Sequence, residues 1–426
     1  MDNKQISLFD CYNTDVVIDE TLSACESVDG KPIEYIFKYY DDLNNDISHM
    51  TSRDDICTPM ECVKTMVDYV PKSFWKSKKI KVLDPCCGNG NFGAYIRTKT
   101  NEDNIFYNDL NIIRLQNCKK ILKPKHISVG DAFDLKNEFD CKYDLIIANP
   151  PYSGGGNKNR SLSNNFIEMS IDRLNSKGYL CFITPNNWMT YNNNNTTLAK
   201  LLNEGSFLVI DNDAKKFFPK VGSSFTIILW QKNVFDNKTK VFNNFLLKDI
   251  QDDIVIPKNL KFIPLYISQD VINIIEKSIS NHETGFKYRC DLHNFTQKKF
   301  LSDTQDDVFT YRTIHTPRKT RYASKKQDIY DKWIIVIPLS TYYIPYIEHN
   351  VNTTQSVGYY EFSNKQEANK AIKKLTQDYI KMVIHITRYG NFNNIMVLKH
   401  MIYDEEICFS ESEMTTIKKL IKYIKY

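Results

Sequence analysis

The stretch IKVLDPCCGNGNF, residues 80–92, decides how the chain is read. IKVLD (80–84) has the apolar run of a buried strand, and Asp84 closes it. Glycines at 88 and 90 follow at once, so the backbone there is free to take a positive φ and to approach a ligand closely. In open parallel sheets ligands bind at the carboxyl ends of the strands, which is where this turn falls. Gly88, Gly90 and Gly93 also stand at the spacing Gly-x-Gly-x-x-Gly.

Outward from this turn the texture repeats. NIFYND (104–109), HISVGD (126–131), DLIIAN (144–149), YLCFITP (179–185), FLVIDND (207–213) and SFTIILWQK (224–232) read as further strands. NIIRLQNCKKILK (111–123) has apolar residues at helical spacing, and NFIEMSIDRLNSKG reads as a helix closed by Gly178. Such alternation predicts a mostly parallel α/β sheet covered on both faces. The last two strands are joined by a short connection, which suits an antiparallel addition at the edge. Past about 245 the alternation stops; SQDVINIIEKSIS (268–280) and a segment near 364–386 look helical, and KWIIVIP reads as a strand.

Two more strands end in acids. Asp109 is placed to accept hydrogen bonds from both hydroxyls of a ribose. Asp131, after Gly130, is placed to meet an adenine amino group. Taken singly, each could be a helix N-cap. Three acids at three successive strand ends beside one glycine turn imply a ligand with a ribose and a base. The strand DLIIAN runs instead into Asn149-Pro150-Pro151-Tyr152. The two prolines fix φ and remove two N–H donors, so the tetrapeptide is a stiff shelf offering the Asn149 side chain, the Pro150 carbonyl and the Tyr152 ring. Two acceptors held side by side suit both hydrogens of an exocyclic NH2, and the phenol suits stacking on a planar base.

Here the sequence resembles the γ class of S-adenosylmethionine-dependent DNA adenine-N6 methyltransferases, typical of restriction–modification systems. The likeness covers roughly 55–235. It implies a Rossmann-like class I methyltransferase domain with a mostly parallel seven-stranded sheet, followed by a C-terminal α+β target-recognition domain. The implied organisation is an acidic extension (1–50), a catalytic domain (51–245) and a DNA-binding domain (246–426). TPMECVKTMVD (58–68) matches the segment that closes over the cofactor, with Thr58 the contact residue. LDPCCGNGNF matches the methionine-side loop, giving Asp84, Cys86, Gly88 and Gly90 to the cofactor. Asp109 matches the ribose acid, Asp131 with Ala132 the adenine contact, and Phe166 an aromatic on the adenine face. Cys86 and Asn89 depart from the family's commoner small and hydroxyl residues. Ala132 stands where an aromatic is sometimes found, which leaves adenine stacking to Phe166. The family's additional base-stacking aromatic has no clear counterpart; Tyr191 is the candidate. The resemblance implies no metal and a target adenine extruded from duplex DNA, its N6 held by Asn149 and Pro150 and its ring by Tyr152.

Residues 311–332, YRTIHTPRKTRYASKKQDIYDK, carry seven Lys or Arg and two Asp, with tyrosines interleaved. Such a segment suits phosphate neutralisation, with Arg318, Lys319 and Arg321 at its centre. Beyond it, Arg388 in ITRYGNFNN is a candidate for reading guanine. Gln5-Ile6-Ser7-Leu8-Phe9 resembles the pentapeptide by which bacterial proteins dock onto the replication sliding clamp.

The bulk numbers bound these readings. The chain has 426 residues, 42% hydrophobic and 25% charged, a normal globular balance. A net charge of +5 permits a polyanionic partner without demanding one. Eleven scattered cysteines with no Cys-x-x-Cys argue for a reducing compartment, and no apolar run is long enough for a signal peptide or a membrane span. The expectation is a cytoplasmic protein, a monomer or weak dimer, that methylates double-stranded DNA. Methylation of RNA or of a protein glutamine, cytosine N4 chemistry, and a catalytically silent DNA-binding module remain alternatives.

Overall fold

β1 (Val82–Asp84) is buried at all three positions. A strand without a solvent face belongs in the middle of a parallel sheet, and the computed structural model places it there. The structure describes residues 18–45, 57–152, 162–193, 195–219, 224–293, 298–316, 319–340, 342–403 and 406–424. Six more strands follow in chain order: β2 (Ile105–Asp109), β3 (His126–Val129), β4 (Tyr143–Ala148), β5 (Leu174–Pro185), β6 (Gly205–Asp211) and β7 (Phe225–Lys232). They lie in the order β3-β2-β1-β4-β5-β7-β6 and are seven of the nine strands of their sheet, which is two strands larger than expected. Leu83 of β1 stands between Phe106 of β2 and Ile146 of β4, all parallel. Strand order therefore reverses between β1 and β4, so the turns after these two strands emerge side by side at a switch point.

Helices α1 (Ile33–Asn44), α2 (Met60–Tyr69), α3 (Asn91–Ile96), α4 (Ile112–Leu122) and α5 (Leu162–Arg173) accompany the sheet. Asn111 caps α4 by accepting from the N–H groups of Ile113 and Arg114. α2 turns an apolar stripe inward: Met60, Cys62, Val63, Met66 and Val67.

Two expectations are corrected. β7 is antiparallel as read, but it is inserted between β5 and β6 rather than added at the edge. Its central residues, Ile227 to Trp230, are wholly buried, and such a run needs a neighbour on both sides. The helix read as far as Gly178 stops at Arg173. Leu174 already pairs with Tyr143, and the next pair in the ladder is Leu145 with Tyr179, so 175–178 bulge out. Gly178 serves this bulge: a Cβ there would lie 2.9 Å from the Asn175 carbonyl oxygen.

The chain divides into two compact units, 1–185 with 200–240, and 186–199 with 241–426. The second contains two four-stranded sheets. One orders Lys287–Tyr288, Val357–Phe362, Trp333–Pro338 and Tyr346–His349, all antiparallel. In the other, Tyr311–Thr316 and Lys319–Ala323 form a hairpin, so half of the basic, aromatic stretch is strand. The segment near 364–386 is two helices, Lys365–Leu375 and Asp378–Ile386, broken where Gln377 is extended. Among the described residues no helix is long and apolar enough to cross a membrane.

At Gly93, the third glycine of the turn, α3 meets β2 closely. A Cβ there would fall 2.2 Å from Tyr107 Cε1, inside a fully buried ring. Gly93→Ala is expected to destabilise the protein by about 1–3 kcal/mol through overpacking, read as a lower urea midpoint by circular dichroism. An unchanged midpoint would mean that α3 is free to shift away from the sheet.

Candidate active site at the switch point

The turn after β1 is built by its own hydrogen bonds. Gly90 takes φ +90° and caps α3; a Cβ there would also meet Leu122 Cδ1 at 2.7 Å and Cys118 Sγ at 2.9 Å. Only glycine satisfies both conditions. Gly88 N donates to Asp109 Oδ2 at 2.7 Å, and Asn111 N donates to Asp109 Oδ1 at 2.7 Å. A carboxylate fixed at this strand end is the kind of acceptor a pair of ribose hydroxyls would need.

Asn108 joins three strand ends. Wholly buried, it donates from Nδ2 to the Pro85 carbonyl and to the Gly130 carbonyl, both at 3.1 Å. Gly130 N in turn donates to the Asp109 carbonyl at 3.0 Å. Asp131 Oδ1 accepts from Phe133 N at 2.9 Å and so caps a short 3-10 turn, Ala132–Asp134. Ala132 is buried, as is Phe166. Phe133 lies edge-on to it, ring centroids 4.9 Å apart, and is 39% exposed.

Asp84 is 1% exposed. Its Oδ1 accepts from Cys86 N at 3.3 Å, while Oδ2 is buried with no hydrogen-bond partner among the described residues. Burial, with the nearby charge of Asp109 adding to it, pushes this carboxyl well above the usual carboxylate range. A buried acid with an open acceptor beside a glycine turn suits a cationic donor such as an amino acid's ammonium group.

β4 delivers Asn149 to the neighbouring turn. Its Nδ2 donates to Thr58 Oγ1 at 3.2 Å, and its Oδ1 accepts from the Tyr152 hydroxyl at 2.6 Å. The carboxamide is thus held at both ends. Cys86 Sγ lies 3.7 Å from the Asn149 carbonyl oxygen, which ties the glycine turn to the proline shelf. The Tyr152 ring packs against Phe225 at 5.2 Å, and burial raises its phenol pKa.

The first unit thus brings together Thr58, Asp84, Cys86, Gly88, Gly90, Asp109, Asn149 and Tyr152. Sequence reasoning missed Asn108, although an amide directly before Asp109 at the end of the run IFY was a visible signal. Phe133 was missed by one position. Tyr191 belongs to the second unit, where its buried ring stacks on Phe262 at 5.9 Å and lies 5.3 Å from His400. Arg318 and Gln5–Phe9 lie outside the described residues.

The first unit has the class I S-adenosylmethionine-dependent methyltransferase fold, with a mostly parallel sheet and β7 reversed. A family model described as "Methyltransferase small domain" matches residues 64–214. The chain is 28% identical over 139 residues to ribosomal RNA small subunit methyltransferase C of Psychromonas ingrahamii, covering 32% of this chain and 38% of that one. It is 29% identical over 149 residues to the type II methyltransferase M.VspI of Vibrio sp., covering 30% of this chain and 35% of that one. The chain therefore spans little more than a third of the length of these curated relatives. Among solved structures, the ATP-dependent type ISP restriction–modification enzyme LlaBIII bound to DNA aligns with a TM-score of 0.48 at 12% identity, over 86% of this chain and 39% of that one.

Asp84 yields a signed pH prediction. Its folded-state pKa is raised, so its contribution to stability is full in acid and is lost as pH rises through the folded value. Asp84→Asn should raise ligand-free stability at neutral pH by about 1–3 kcal/mol and flatten that pH dependence, while weakening S-adenosylhomocysteine binding. Thermal melts across pH and calorimetric titration read both effects. A destabilised Asp84→Asn protein with full ligand affinity would refute this assignment.

Proposed function

We propose that the chain methylates the exocyclic amino group of a nucleobase in DNA, with adenine N6 as the target. The observation that carries this reading is the Asn149 carboxamide, anchored on Thr58 and Tyr152 one thiol contact away from the glycine turn. The fold class implies S-adenosylmethionine, and the residues fit it: Asp84 for a cationic end, Asp109 for ribose hydroxyls, and Asp131, Phe133 and Phe166 for an adenine ring. When bound, that cofactor supplies an electrophilic methyl carbon.

Asn149 Oδ1 and the Pro150 carbonyl accept the two amino hydrogens, which turns the nitrogen lone pair toward the methyl and spreads the positive charge that develops there. Pro150 and Pro151 hold these acceptors still, so little reorganisation accompanies transfer. Tyr152 offers its ring to the extruded base. The displaced amino proton, made acidic by the charge on nitrogen, leaves to water. RNA is the second reading, favoured by the likeness to a ribosomal RNA methyltransferase across the catalytic part.

Labelled S-adenosylmethionine with DNA, RNA or a glutamine-bearing protein separates these readings, and N6-methyladenine in DNA is the expected product. Asn149→Ala should lower kcat by about 10²–10³-fold or more while cofactor affinity stays within a few-fold. Persisting turnover would remove Asn149 from the site.

For DNA binding we assign Arg388 ahead of the 311–332 cations. Arg312 pairs with Glu348, Lys319 and Arg321 share Asp303, Lys326 pairs with Asp331, and Lys332 with Glu361. Lys325 sits 3.9 Å over the Phe300 ring. Each would have to exchange an internal partner for a phosphate. Arg388 instead lies over the Tyr342 ring at 5.8 Å and donates to a backbone carbonyl, that of Asn391, at 2.6 Å. It stands in the second unit's polar loops, where Tyr342 and Phe392 are exposed. Arg388→Ala should cost about 1–3 kcal/mol of DNA affinity and relax sequence discrimination. Lys319→Ala should cost well under 1 kcal/mol, as is usual for an exposed cation already paired. Fluorescence anisotropy at several salt concentrations measures both, and the reverse ranking would move the interface to the hairpin.

A further inference from the structure

Residues 18–45 take no direct part in the chemistry above, yet their side chains reach the structures that support it. The segment before α1 is stitched along α4. Lys119 Nζ donates to the Ile18 carbonyl at 2.7 Å, and Val28 N to the Ile121 carbonyl at 3.2 Å. Ser23 Oγ donates to Asn117 Oδ1 at 2.8 Å. Asn117, buried, passes the connection inward from Nδ2 to Asn89 Oδ1 at 3.1 Å, within the glycine turn.

Helix α1 then grips the same turn from one face. Tyr40 and Asn44 are four residues apart, hence on one side of the helix. Tyr40 is fully buried and donates its hydroxyl to the Asn89 carbonyl at 3.2 Å. Asp41 Oδ1 accepts from Met60 N, the first residue of α2, at 3.1 Å. Asn44 Oδ1 accepts from Asn91 Nδ2 at 3.0 Å, and Asn44 Nδ2 donates to the Thr58 carbonyl at 3.3 Å. Asn91 Nδ2 also donates to that Thr58 carbonyl, at 2.9 Å. Three amides and one threonine form a continuous path, Asn44–Asn91–Thr58–Asn149, from α1 to the carboxamide that receives the substrate amine.

We propose that Asn44 is a positioning residue for methyl transfer. Together with Asn91 it fixes the backbone of Thr58, whose hydroxyl sets which way the Asn149 carboxamide faces. Tyr40 acts elsewhere, since its bond to Asn89 steadies the glycine turn that holds the cofactor. This rests on the methyl-transfer reading, and it assigns a role in the reaction to a part of the chain that carries no methyltransferase motif and lies outside the matched residues 64–214.

The test compares Asn44→Ala, Tyr40→Phe and Thr58→Val in the full chain, with Asp42→Ala, exposed on α1, as control. At saturating cofactor, Asn44→Ala lowers kcat about tenfold with little change in KM for DNA, since an interaction used in the transition state is loosened. Tyr40→Phe raises the S-adenosylhomocysteine dissociation constant several-fold and spares kcat. The decisive readout is a double-mutant cycle: Asn44→Ala costs no further kcat once Thr58→Val has removed the hydroxyl it positions. A purely structural Asn44 would instead lower the melting temperature and leave kcat per folded molecule unchanged, which would overturn the proposal. So would additive losses in the cycle. Calorimetry with S-adenosylhomocysteine on the unmutated protein separates the two levels. No binding and no methylation of any substrate would sink the methyl-transfer reading and this proposal with it. Normal binding and turnover with an indifferent Asn44 would sink this proposal alone.

Discussion

One hydrogen bond organises the site: Asn149 Nδ2 to Thr58 Oγ1. An asparagine side chain has two chemically opposite ends and a soft terminal torsion, so its direction must be set from outside. Thr58 takes the donor end, which leaves the acceptor end beside the Tyr152 hydroxyl. Reversal of that amide would present N–H groups to an incoming amine, and a donor cannot receive a donor. The glycine turn, the proline shelf and the segment ahead of α2 are all arranged around this constraint.

Buried amides do most of the arranging. Asn108 spans the ends of β1, β2 and β3, Asn91 spans α1 and the Thr58 turn, and Asn117 reaches Asn89 from α4. An amide carries donors and acceptors without net charge, so it can bridge backbone carbonyls in the interior without the desolvation cost of an ion. Such a network makes the ligand-side loops stiff before any ligand arrives. Asp84 is the exception, a carboxyl buried with an open oxygen and accordingly shifted toward its protonated form. Local destabilisation of this kind is common where a ligand later supplies the missing partner.

The second unit shows why charge counts mislead. The stretch 311–332 is strongly basic as a string of letters, yet its described cations face carboxylates or a ring within their own unit. Asp303 sits between Lys319 and Arg321 on an adjoining strand's loop, and these cations hold its carboxyl below the ordinary range. Residues far apart in sequence supplied the neutralising acids, among them Glu348 and Glu361.

What the chain's letters determined was local: apolar runs that end in Asp84, Asp109 and Asn149, a turn rich in glycine, and two prolines that stiffen the shelf. These follow from backbone sterics and side-chain period, which act over a few residues and are therefore readable in order. Folding decided everything that depends on distant partners. It inserted β7 between β5 and β6, ended α5 at Arg173, put Phe133 against Phe166, and brought Asn44 and Asn91 to Thr58. A hydrogen bond between residues 91 positions apart, as Thr58 and Asn149 are, has no signature in either segment, because each amide or hydroxyl would look the same if it faced water. Only the packing of the sheet, with its order reversing between β1 and β4, chose the partner.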